Sequence, residues 1–221
     1  MFSIFDPTSS ILSMKLGWLI LGSPIIMNYN LYWMPTNFNI LLFYSIKNIL
    51  LKEFKLLSFK VTPIILFYTI FIFIFWNNFF SLFPYIFSAT SHLSVTLFLS
   101  VMIWLPINLF MWSFNIFKTL SHYTPSNTPT ILIPFMFCIE MISNMIRPLT
   151  LSIRLMANIT AGHLIIYLVS SKVTEIFMYS SIFIILIQSL MMLLELMVTI
   201  TQAYIFSTLS LLYYNETICA K

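Results

Sequence analysis

The sequence predicts an all-α integral membrane protein, and three observations carry that prediction. Of its 221 residues, 60% are hydrophobic and 7% charged, and the mean hydropathy is +0.99. The apolar residues are gathered into runs much longer than a soluble core helix needs, so the bilayer acts as the solvent. The runs also lack the alternation of a membrane barrel, and an open sheet edge has no hydrogen-bond partners in lipid, which leaves helices.

Five apolar runs follow one another along the chain, at residues 16–34, 61–87, 93–117, 131–169 and 176–214. Each is an expected membrane helix. The stretch between the first two, "YSIKNILLKEFKLLSFK" at 44–60, differs in kind. At about 100° per residue, Lys47, Asn48, Lys52, Lys55 and Ser58 fall on one arc, and Ile46, Ile49, Leu50, Leu56 and Leu57 on the opposite one. That pattern suits an amphipathic helix lying in the membrane interface, with a solvated basic loop as the alternative. Neither an internal repeat nor a long polar linker divides the chain, so residues 1–221 are expected to form a single membrane domain.

Charge then sets orientation. Five crossings place Lys47, Lys52, Lys55, Lys60, Lys118 and Lys221 on one side of the membrane and Lys15 and Lys172 on the other. The cation-rich side is expected to be matrix or cytoplasm, with the amino terminus facing the opposite compartment. The net charge of +4 does not point to nucleic acid, because the cations are scattered lysines at span ends without a basic stripe or phosphate loop. Cys138 and Cys219 match no disulfide framework or ligand spacing, so neither a metal nor another cofactor is expected. "MFSIFDPTSS" has no basic n-region, so insertion is expected to rely on the spans themselves.

The last two runs are too long. A helix of about 39 residues is roughly 58 Å long, against a hydrocarbon layer about 30 Å thick. Each must tilt steeply, kink or lie partly along the membrane, and tilts of about 20° are far too small for this excess. Pro148 and Gly162 are the candidate kink points, with a locally broken turn as the other reading of Pro148.

The same two runs hold the ionisable groups that cannot be placed at span ends, including both arginines of the chain. Measured around the helix axis from Glu140, Asn144 falls at about +40°, Arg147 at about −20°, Arg154 at about −40° and Asn158 almost directly in line. In the final run Glu195, Thr199 and Gln202 lie within about 40° of Gln188. Two polar stripes on adjacent antiparallel helices make a wet seam. His163 lies about 140° from Glu140 and need not share the surroundings of Arg154. Two uses are open to the charges. Glu140, Arg147, Arg154 and Glu195 could pair with one another and hold the helices together. Against this, a charge near the bilayer midplane costs about 2.5–3.5 kcal/mol even on the gentlest scale, and Ser, Asn or Gln serve as cheaper glue. His92 and His122, flanked by serines, are expected to be solvated loop residues, and the sequons at Asn158 and Asn215 are expected to be unused.

"IRPLTLSIRLMANITAGHLI" followed by "LLELMVTITQAYIFSTLSLLY" resembles subunit a, the proton-channel subunit of F-type ATP synthases, in its mitochondrially encoded form. "NNFFSLFPYIFSATSHL", "LSHYTPSNTPTILIPF" and the early "FDP" are similar to the same family in the same order, so the resemblance covers essentially the whole chain. It implies a fold in which the last two helices form a steeply inclined hairpin curved against a ring of c subunits, which is the outside support the excess length requires. It implies two offset aqueous half-channels, one from each side. Arg154 matches the family's essential arginine, and Asn158 and Gln202 match polar positions associated with it. His163 and Glu195 stand where bacterial members commonly carry an acid and a histidine respectively. Glu140 matches an acid near the matrix-side path, whereas the resemblance assigns Arg147 no secure role. The implied partners are the c-ring, peripheral-stalk subunit b, small membrane subunits such as subunit 8, and membrane lipids. The implied location is the mitochondrial inner membrane, with the amino terminus in the intermembrane space and the carboxyl terminus in the matrix.

Two rival classes predict other features. Secondary transporters favour inverted repeats and broken midplane helices, whereas this chain has three glycines and no similar halves. A passive assembly subunit has no need of two acids, two arginines and a histidine on overlength membrane helices.

Overall fold

The computed structural model describes residues 16–24, 38–58, 62–83, 86–114, 119–121, 123–124, 129–173 and 178–219, and every regular element among them is helical. Five α-helices follow in order: α1 (Phe38–Leu57), α2 (Thr62–Ser81), α3 (Leu93–Phe114), α4 (Ile133–Val173) and α5 (Met178–Cys219). Short 3-10 segments stand at Leu16–Gly22, Ala89–Ser91 and Thr130–Leu132. Among the described residues four segments are long and apolar enough to cross a membrane: Pro63–Ser81, Leu93–Ser113, Ile133–Ser171 and Ile182–Thr217. The chain is thus an all-α, multi-pass membrane protein. Of the expected first span at 16–34, the described part is the 3-10 segment and the two residues after it; residues 25–34 lie outside the described residues.

Element ends follow local chemistry. Helix α1 begins six residues ahead of the amphipathic stretch, because "FNILLF" continues its apolar pattern backwards. Helix α2 stops at Ser81 although the apolar run continues to residue 87. Pro84 disfavours helical backbone at the residue before it, and Leu82 and Phe83 leave the helix as a turn and bend. Helix α4 continues through Pro148 although the proline has no amide to donate to the carbonyl of Asn144. The hydroxyls within these apolar helices are satisfied locally: Ser152 donates to the Leu149 carbonyl at 2.8 Å and Thr199 to that of Leu196 at 2.7 Å.

Helix α5 packs chiefly on α2 and α4, and α3 lies against α4 with a smaller contact to α5. Where α2, α4 and α5 meet, Phe71, Ile74, Leu151, Leu155, Ala203 and Phe206 form one buried cluster. A second joins Phe54 of α1 to Ile64, Phe67 and Leu211. The α1 face held by the protein therefore carries Phe54, while Ile46, Ile49 and Leu56 of the expected apolar arc stay exposed. Asn215 is buried and its Nδ2 donates to the Leu57 carbonyl at 2.5 Å, tying α5 to the end of α1. Much of the outer surface of α4 and α5 remains apolar and uncovered, as at Ile142, Met145, Leu168, Phe183, Leu193 and Met197.

Ala89–Ser91 is buried and packs on α2, α3, α4 and the Leu16–Gly22 segment. Here one expectation is corrected. His92 is not a solvated loop residue: its ring lies 5.5 Å from that of Trp18 and 5.2 Å from that of Phe87, because the turn folds inward between helices. His122 lies outside the described residues.

Candidate functional site

The site is built where α2, α4 and α5 converge. Asn158 and His163 of α4, Glu195, Thr199 and Gln202 of α5, and Asn78 and Ser81 of α2 line one cavity of about 10 Å³. That is room for about one water molecule. Asn158 and His163 are half-buried, and Glu195 and Thr199 are buried. Both carboxylate oxygens of Glu195 are out of solvent without a hydrogen-bond partner among the described residues. The same holds for both side-chain polar atoms of Asn78, which is 0% exposed. Buried polar groups ordinarily have partners. Unpartnered donors and acceptors thus stand around a small space whose surface is otherwise mostly apolar.

Glycine is what lets Glu195 occupy this position. A Cβ built on Gly162 would stand 2.6 Å from the Glu195 Cδ and 2.9 Å from its Cγ. The carboxylate thus lies across α4 through a notch that any larger residue would fill.

A larger groove of about 370 Å³ adjoins the cavity and shares Asn158, Glu195, Val198 and Gln202 with it. Ala161, Gly162, Ile165 and Ile166 of α4 and Met191, Leu194 and Thr201 of α5 form its remaining edges. Glu195 is the one acid among the four residues they share, so it borders both the inner space and the groove.

Arg154 stands one helical turn before Asn158, about 6 Å along the axis. Its neighbours Leu151 and Leu155 point into the core, while the arginine side chain is exposed and forms no ion pair among the described residues.

A second polar cluster gathers the other charges. The Arg147 guanidinium is 2.5 Å from a Glu216 carboxylate oxygen and 3.9 Å from one of Glu140, and it lies 4.9 Å over the Tyr213 ring. Beside it, Trp104 Nε1 donates to Asn144 Oδ1 at 3.3 Å, and Asn144 Nδ2 donates to the Tyr123 hydroxyl at 3.1 Å. These groups line a cavity of about 50 Å³.

The structure thus divides the expected seam into separate places. It brings together Asn158, His163, Glu195, Thr199 and Gln202, and gathers Glu140, Asn144 and Arg147 elsewhere. Arg154 belongs to neither lining, and Gln188 is half-buried further along α5. The pairing of Arg154 with Glu140 does not occur: 14 residues of helix separate them by about 21 Å, and Glu140 faces Arg147 instead. Sequence reasoning missed Asn78, Ser81, Glu216, Tyr123 and Trp104. Only the first had a visible signal, the Asn77–Asn78 doublet inside an apolar run.

The chain matches the family described as "ATP synthase A chain" over residues 11–215. It is 42% identical over 220 residues to ATP synthase subunit a of Artemia franciscana, covering 98% of both chains. It is also 42% identical over 220 residues to ATP synthase subunit a of Drosophila yakuba, covering 98% of this chain and 97% of that one. The corresponding protein of Aedes aegypti is 42% identical over 224 residues, with the same coverage. Together with the all-helical fold and its four apolar helices long enough to cross a membrane, these matches make the chain a member of the ATP synthase A chain family.

Proposed function

We propose that this protein is the proton-translocating stator subunit of the membrane sector of ATP synthase, acting in a complex rather than as an enzyme alone. Arg154 carries the reading. It is a cation on a membrane helix, exposed and unpaired among the described residues, one turn from the groove that holds Glu195. A guanidinium in that position awaits an anion from outside the chain.

A c-subunit carboxyl must be neutral to travel through lipid, because an unpaired carboxylate there is costly, yet it must ionise to exchange its proton. Arg154 resolves the conflict at one place. It stabilises the passing carboxylate and bars direct proton flow between two offset half-channels, so that protons travel around with the ring. Arginine suits this role because its guanidinium stays protonated in nearly any environment. Asn158, His163, Glu195 and Gln202 serve one half-channel, with Asn78 and Ser81 as its wall on α2 and Thr199 beside them. Glu140 and Asn144 belong to the other, nearer the end of α5. Gln188 extends the polar face of α5. The uncovered apolar surfaces of α4 and α5 take the c-ring, with subunit b, subunit 8 and lipids against other faces. Helix α1 lies in the interface with its exposed isoleucines toward lipid. The location is the mitochondrial inner membrane, with the amino terminus in the intermembrane space and the carboxyl terminus in the matrix.

ATP-driven acidification of vesicles carrying the whole complex tests this. Arg154→Ala is expected to abolish pumping and to leave a passive proton leak; undiminished pumping overturns the reading.

A further inference from the structure

Arg147 has no place in the gate just described, yet its guanidinium meets three side chains, those of Glu140, Glu216 and Tyr213. It stands on α4, and its partners come from two directions. Glu140 lies two turns earlier on the same helix, and Glu216 belongs to the last turn of α5. The Tyr213 ring beneath the guanidinium is one turn before Glu216, so the cation grips α5 at two successive turns. The contact falls beside Pro148, where α4 lacks the amide that would bond the Asn144 carbonyl. Asn144 is itself tied to Tyr123 and Trp104. The one turn of α4 weakened by proline is therefore the turn fastened to its surroundings on both sides.

Arg154 lies seven residues further along, about 10 Å along the axis and only about 20° around it. A change of bend or twist at Pro148 would be carried directly to it, because the intervening helix is continuous.

We propose that Arg147 is a positioning residue: its clamp on Glu216 and Tyr213 holds the Pro148 turn in one geometry and thereby sets the position of Arg154. This rests on the assignment of Arg154 as the gate. Arg147 itself exchanges no protons. Of its two acids, Glu216 at 2.5 Å is the clamp and Glu140 at 3.9 Å is the looser contact.

The test uses intact complex in vesicles, with ATP-driven acidification normalised to assembled complex. Arg147→Gln and Glu216→Gln are each expected to lower pumping about fivefold, and the double variant to be no worse than the poorer single, since both break one contact. The reversed pair Arg147→Glu with Glu216→Arg is expected to recover at least half the native rate. Arg147→Lys keeps a cation without the planar fork and is expected to fall between native and Arg147→Gln. Unchanged pumping in Arg147→Gln overturns the proposal, as do losses that multiply in the double variant, or an assembled reversed pair that stays inactive. If the reversed pair does not assemble, the double-Gln comparison decides. Arg154→Ala measured alongside separates the two readings: pumping that survives it removes the gate, whereas loss there without coupling between Arg147 and Glu216 removes only the clamp.

Discussion

The Glu195 carboxylate passes over Gly162 at a distance no side chain would tolerate, a Cβ there standing 2.6 Å from the Glu195 Cδ. The two residues lie on different membrane helices, and the acid reaches the cavity it shares with His163 and Asn158 only because the glycine has no side chain.

Gly162→Ala is therefore expected to displace Glu195 while leaving the fold in place. Overpacking of this kind costs about 1–3 kcal/mol, less than an assembled membrane domain needs to unfold. We expect normal amounts of complex and proton pumping lowered roughly tenfold. Shortening the acid in Gly162→Ala with Glu195→Asp should recover part of the loss. Native pumping in Gly162→Ala would show that the notch is unimportant.

The polar lining predicts a second result. Glu195→Gln keeps the shape and removes the carboxylate, and His163→Leu removes the imidazole that lines the cavity. Each is expected to slow proton flux severalfold with the complex still assembled. Unchanged flux in both variants assigns these groups to helix pairing rather than to proton passage.

Arg154 and Glu140 should behave independently, because Glu140 is held by Arg147 and not by Arg154. Arg154→Gln is expected to abolish pumping, and adding Glu140→Gln is expected to restore none of it. Recovery in the double variant, read as vesicle acidification, would mean that the two charges matter only as a pair.

Helices α4 and α5, at 41 and 42 residues, extend about 60 Å each. In the assembled complex both are expected to incline beyond the usual range of about 0–40° from the membrane normal. An image of the complex with either helix upright refutes this.

Helix formation, four of the five expected apolar spans and the excess length of the last two were legible from residue order alone, because in lipid every backbone amide must be satisfied within its own helix. Helical periodicity also placed Glu195, Thr199 and Gln202 on one face, since a turn of about 100° per residue needs no knowledge of neighbours. What periodicity cannot supply is the depth and azimuth at which one helix meets another. Those come from packing, and packing divided the expected seam. Phe71 and Ile74 of α2 interlock with Leu151, Leu155 and Phe206, and that contact carries Asn78 and Ser81 to the Glu195 cavity. The same alignment of α4 with α5 brings Glu216 to Arg147 across 69 residues of sequence. Glu140 and Arg147 are neighbours along α4 itself, two turns apart on one face, whereas Arg154 is left exposed without an acid of its own chain among the described residues. The sequence by itself determined which residues are polar in a membrane helix; tertiary contact decided which of them face each other, because side-chain partners in lipid are chosen by helix packing rather than by order along the chain.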